Sequence, residues 1–85
     1  MEQFTYVIKD PLGIHARPAG MIVKKASEFT CTITLQTPTA MADAKRIIGV
    51  MGLVAKQGTP ITVACNGEDE RVAAKELEEF FQKNL

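Results

Sequence analysis

Three features of the sequence predict an α+β fold in which helices cover one face of an antiparallel sheet. Residues 31–36 and 61–65 alternate apolar with polar side chains, as strands with one wet face do. The stretches that follow residues 16 and 69 repeat apolar residues at spacings of three and four, as helices with one buried stripe do. Shorter strand and helix signals fall between them, giving the order βαββαβα and an α+β sandwich.

The first strand is read at Phe4-Thr5-Tyr6-Val7-Ile8, with Phe4, Tyr6 and Ile8 on one face. Asp10-Pro11-Leu12-Gly13 breaks it as a turn. From Ala16 the period changes, and Ala19, Ile22, Val23, Ala26 and Phe29 form a helical stripe. Pro18 fits only in that helix's first turn, where its missing N–H costs nothing. In the next strand Cys31, Ile33 and Leu35 face the core, while Thr32, Thr34 and Gln36 face water.

Thr37-Pro38-Thr39 reads as a turn and residues 41–44 as a short return strand. Residues 45–53 are apolar but only loosely periodic, a short helix interrupted by Gly49 and Gly52. After a turn at Gly58, Ile61, Val63 and Cys65 alternate with Thr62 and Ala64, and Asn66-Gly67 ends that strand. The last helix takes Asp69 as its N-cap, with Glu68 and Glu70 complementing the positive end of its dipole. Ala73, Leu77, Phe80 and Phe81 are its buried stripe.

Composition narrows the function classes. A chain of 85 residues suits one domain, spanning 1–85, with no internal repeat or linker. Ten basic residues balance ten acidic ones, so no nucleic-acid footprint is expected. No apolar run reaches the ~18 residues of a membrane span, and Met1-Glu2-Gln3 lacks the start of a secretory signal. Cys31 and Cys65 are far apart in sequence and match neither a zinc site nor a redox pair. Two buried thiols in a cytoplasmic protein, without metal or cofactor, is the expectation.

The chemistry concentrates in Gly13-Ile14-His15-Ala16-Arg17-Pro18-Ala19, which holds the chain's one histidine. His15 falls between a glycine turn and a helix start. The first amides of a helix lack internal acceptors and carry partial positive charge, which suits a phosphate at the first turn formed by Ala16, Arg17 and Pro18. Arg17 adds a fork of donors for the same anion. A neutral imidazole is nucleophilic, and its ring nitrogen leaves readily in a second transfer. On spacing alone, however, a histidine here is more often a cap or a surface residue.

The heptapeptide resembles the active-site motif of the HPr family, histidine-containing phosphocarriers of the bacterial phosphoenolpyruvate-dependent sugar phosphotransferase system. The similarity covers essentially the whole chain, including Lys45-Arg46-Ile47-Ile48-Gly49-Val50-Met51 and Gly67-Glu68-Asp69-Glu70. It implies an open-faced β-sandwich, a four-stranded antiparallel sheet with three helices on one face. It also implies that Enzyme I phosphorylates His15 at Nδ1, that an Enzyme IIA domain receives the group, and that Arg17 neutralises phosphate charge. Such a chain is a stoichiometric carrier rather than an enzyme, and a monomer is expected. The alternative is an HPr-like paralogue acting mainly through regulators, transcriptional or metabolic, that read its phosphorylation state.

The expected docking face joins Ala16 and Gly20 to Met21, Ile47, Ile48 and Met51, with Arg17, Lys24 and Lys45 at its rim. Adaptable methionines suit a surface that serves several partners. Ile47, Ile48 and Met51 are equally readable as core residues of a short helix. Two positions depart from the family pattern. Arg46 stands where many Gram-positive members carry a regulatory serine, and it has no hydroxyl to phosphorylate. Leu12 replaces a polar residue that some members have beside the histidine.

Overall fold

The computed structural model describes residues 1–85. Its elements are β1 (Glu2–Val7), α1 (Ala16–Ala26), β2 (Thr32–Gln36), β3 (Met41–Asp43), α2 (Ile47–Gly52), β4 (Pro60–Asn66) and α3 (Glu70–Asn84). The strands form one sheet in the order β1-β4-β2-β3, and every neighbouring pair is antiparallel. The expected βαββαβα open-faced sandwich is therefore the fold.

Alternation along the strands sets the two faces. Ile33, Leu35, Ile61, Val63 and Cys65 are buried, and Phe4 and Tyr6 pack against this core from β1. The other face is exposed and mostly polar apart from Val7 and Met41, and there Thr5 and Thr62 share a hydrogen bond of 3.1 Å across β1 and β4. Helix α3 covers β1 and β4 while α2 covers β3, and α1 packs against both helices. Phe81 is fully buried and meets Phe4, Tyr6 and Phe80 edge-on at 5.9–6.2 Å. Such contacts contribute about 0.5–1.5 kcal/mol each beyond burial alone.

Both cysteines are free and buried. Burial, then the neighbouring Asp69 carboxylate, pushes the Cys31 thiol up to about 12, and burial raises Cys65 as well. Neither supplies a thiolate near neutral pH, so both serve as packing.

Four local expectations need correction. Helix α1 stops at Ala26, where the Ser27 N–H and hydroxyl both bond to the Val23 carbonyl, so Phe29 enters the core from the following loop. Gly49 does not interrupt α2: it lies within the helix on the side facing β3, where a Cβ would meet the Ala42 Cβ at 3.4 Å, an ordinary contact. Asp69 occupies the N-cap position of α3 but makes no side-chain cap bond. Its two carboxylate oxygens instead accept the Thr30 and Cys31 amides at 2.8 and 2.9 Å. Lys45 does not stand free at a rim, because its ammonium donates to the Phe29 carbonyl at 2.7 Å.

Candidate functional site: His15 at the start of α1

Local chemistry holds the loop before α1 in one shape. The Asp10 carboxylate accepts the Leu12 amide at 2.8 Å, and the Asp10 carbonyl accepts the Gly13 amide at 2.9 Å. Gly13 then takes a left-handed conformation, φ +67°, pressed against the segment after α2. A Cβ at Gly13 would fall 2.2 Å from the Ala55 carbonyl oxygen, so only glycine fits. The same carbonyl accepts the Ile14 amide at 2.8 Å, and the Ile14 side chain is buried. The residue before the histidine is thus pinned by its backbone and its side chain.

His15 is the N-cap of α1, with extended backbone, φ −109° and ψ −171°. Its carbonyl accepts the Ala19 amide at 2.9 Å. Its imidazole makes no capping bond and remains half-exposed. Ala16 and Arg17 are exposed, and their amides make no hydrogen bond within the protein. Pro18 is buried in the first turn, where a missing N–H leaves nothing unpaired. The helix carries no acidic residue in its first turn and has Lys24 and Lys25 in its last. The free amides, the dipole and the unpaired Arg17 all favour an anion beside the imidazole.

The apolar residues expected beside His15 are at the surface. Met21, Ile47 and Met51 are about two-fifths exposed and Ile48 is 81% exposed, whereas Val50 is the buried residue of α2. Gly20 joins the two helices, since a Cβ there would meet the Ile47 Cδ1 at 3.7 Å. Lys24 is exposed and unpaired. Arg46 is the N-cap of α2, its side chain 81% exposed and only 3.9 Å from the Asp43 carboxylate. Leu12 also lies at the surface.

Sequence reasoning missed one contributor, Ala55, whose carbonyl aligns Ile14. An unremarkable alanine gave no signal, because its role is carried by the backbone. Grooves of about 500 and 400 Å³ lie along α3 and between residues 37–39 and 53–60, and neither includes His15.

Fold and site define a class: small open-faced α+β sandwiches that present an imidazole at a helix N-terminus. The family model described as "PTS HPr component phosphorylation site" matches residues 2–83. A phosphocarrier protein HPr of Lysinibacillus sphaericus is 49% identical over 76 residues, covering 89% of this chain and 84% of that relative. A crystal structure of HPr from Thermoanaerobacter tengcongensis superposes with a TM-score of 0.91 at 35% identity, covering 96% of this chain and 92% of the other. An HPr dimer from the same organism gives 0.77 at 35% identity, covering 98% and 95%. The chain belongs to the HPr family, the phosphocarrier component of the phosphotransferase system.

Proposed function

We propose that this chain, as one HPr-like domain, accepts a phosphoryl group from phospho-Enzyme I on His15 and donates it to Enzyme IIA in sugar uptake. The observation that carries this reading is the half-exposed imidazole at the N-cap of α1, free of any capping bond and flanked by the Ala16 and Arg17 amides. Nδ1 attacks phosphorus as the donor's bond to phosphorus breaks, and the new N–P bond breaks in turn when the group moves on. Ala16 and Pro18 shape the first turn around the phosphate. Arg17 supplies charge-assisted donors that hold the phosphorylated state. Positioning and electrostatics carry such transfers, and part of both comes from the partner.

Each molecule is consumed and regenerated as a substrate, so it is a carrier and not an enzyme. Ala16, Gly20, Met21, Lys24, Ile47, Ile48 and Met51 form the docking face in this reading. No helix is long and apolar enough to cross a membrane. The carrier works in the cytoplasm as a monomer; an HPr dimer stands among the similar structures, so sedimentation at working concentration tests the monomer separately. Arg46 removes phosphoserine control at that position, and HPr kinase should leave it unlabelled.

The deciding experiment incubates the chain with phosphoenolpyruvate and Enzyme I and follows phosphorus NMR and intact mass. One acid-labile phosphate, absent in a folded His15→Ala variant, is the expected result. Equal labelling of that variant would sink the assignment.

A further inference from the structure

Backbone hydrogen bonding changes abruptly at His15. From Lys9 to Ile14 every backbone N–H is bonded within the protein, Pro11 having none, whereas those of His15, Ala16 and Arg17 are all free. The residues before His15 belong to no helix or strand, so their order has to come from other parts of the fold. Two segments supply it, and both do so with carbonyl oxygens.

One is the chain after α2, where Val54 turns left-handed at φ +50° and the Ala55 carbonyl reaches the Ile14 amide. The other is the end of α3. Leu85 is the C-cap of that helix, its side chain is buried, and its carbonyl accepts both the Lys9 and the Asp10 amides at 2.7 Å. The last carbonyls of a helix have no internal donors and carry partial negative charge, and here two loop amides satisfy one of them.

Asp10 converts this anchor into a shape. Its amide donates to Leu85, its carboxylate Oδ1 accepts the Leu12 amide, and its carbonyl accepts the Gly13 amide. The first bond ties the residue to α3. The other two close the turn around Pro11 that presses Gly13 against Ala55. Asp10 is half-buried and forms no ion pair. The turn needs an acceptor oxygen at this place and makes no use of the negative charge.

We infer that Asp10 is a positioning residue for the transfer: it carries the anchor at Leu85 through the turn and sets where the His15 imidazole stands relative to the free Ala16 and Arg17 amides. This role rests on the phosphocarrier reading for the reaction. It makes the end of α3, which contributes no side chain to the site, part of what aligns the acceptor nitrogen.

The test follows phosphoryl transfer from phospho-Enzyme I to wild type, Asp10→Ala, Asp10→Asn, Leu85→Ala and the Asp10→Ala/Leu85→Ala double variant. Temperature is kept well below each Tm, and kcat is separated from KM for the carrier. Asparagine keeps an acceptor oxygen where alanine has none. Asp10→Ala should lower kcat about tenfold, since small displacements of a reacting group are costly, and leave KM unchanged. Asp10→Asn should keep the wild-type kcat. Hydrogen exchange at the Leu12 amide should quicken in Asp10→Ala and not in Asp10→Asn. Leu85→Ala should also lower kcat, and the double variant should lose less than the product of the two factors, because both act along one path.

Wild-type kcat in Asp10→Ala would overturn the inference, as would an equal loss in Asp10→Asn, which would make charge the agent. A raised KM at constant kcat would move Asp10 from positioning to docking. Factors that multiply in the double variant would detach the end of α3 from the turn. Phosphate uptake by wild type is read first: no labelling refutes the carrier reading and Asp10's part in it, whereas normal labelling of both wild type and Asp10→Ala refutes the positioning role alone.

Discussion

At the residue scale, Gly13 decides where His15 sits. Two constraints meet there, the left-handed φ of +67° and the Ala55 carbonyl oxygen 2.2 Å from where a Cβ would be. That atom is backbone, held by its bond to Ile14, so it does not move aside cheaply. Gly13→Ala should therefore destabilise the fold by about 2 kcal/mol or more, well beyond the usual half-kilocalorie effect of a surface change. Urea denaturation checks this, and an unchanged midpoint would show that the two loops separate freely. A folded fraction of that variant should also lose protection of the Ile14 amide against hydrogen exchange. His15 itself carries no such structural duty, since its side chain makes no cap bond. In the proposed function, chemistry and stability are thereby divided between two positions of one short loop.

At the scale of elements, one carboxylate ties the start of α3 to the start of β2. The Asp69 group sits below its ordinary 3.8, chiefly because the Thr30 amide donates to it, with the Cys31 thiol and amide helping. Glu70 is likewise lowered from 4.5, first by the Gly67 amide and then by the Met1 ammonium. A depressed carboxylate stabilises the fold above its unfolded value and loses that contribution as pH falls through the folded one. Stability should therefore begin to drop just below 4.5 and continue through and below 3.8. Asp69→Asn should lower the urea midpoint at pH 7, and its gap from wild type should narrow as pH falls below 3.8. A gap that stays constant down to pH 3 would mean the ionised form contributes nothing. This tie also shows what the sequence concealed. Alternation revealed the strands, and the three-and-four spacing revealed α1 and α3, because burial of one face is written locally. An aspartate before a helix has the same local signature whether it caps that helix or reaches across to another chain segment. Lys45, bonded to Phe29, was opaque for the same reason. His15 was placed correctly at the helix start because the glycine turn and the proline in the first turn bracket it locally. The left-handed turn at Val54 had no warning, since its residue type argues against it.

Over the whole molecule, balanced charge hides an uneven distribution. Helix α1 carries Arg17, Lys24 and Lys25 with no carboxylate, while Glu68, Asp69 and Glu70 cluster at the start of α3, followed by Glu76, Glu78 and Glu79. Lys25 is engaged with Glu28 and Glu76, which leaves Arg17 and Lys24 as the free cations of the His15 face. A field of this shape contributes to encounter rate and orientation more than to equilibrium affinity. Lys24→Glu should therefore slow association with Enzyme I by about tenfold at low salt. The deficit should shrink at 1 M salt, where charges interact over only about 3 Å. Lys75→Glu makes the same change in net charge on exposed α3 and should leave the rate nearly unaltered. Stopped-flow association at several ionic strengths separates the two cases. Equal slowing by both substitutions would make net charge the cause and remove the argument from placement. Slowing by Lys24→Glu alone, abolished by salt, would locate the attraction on the face that presents His15.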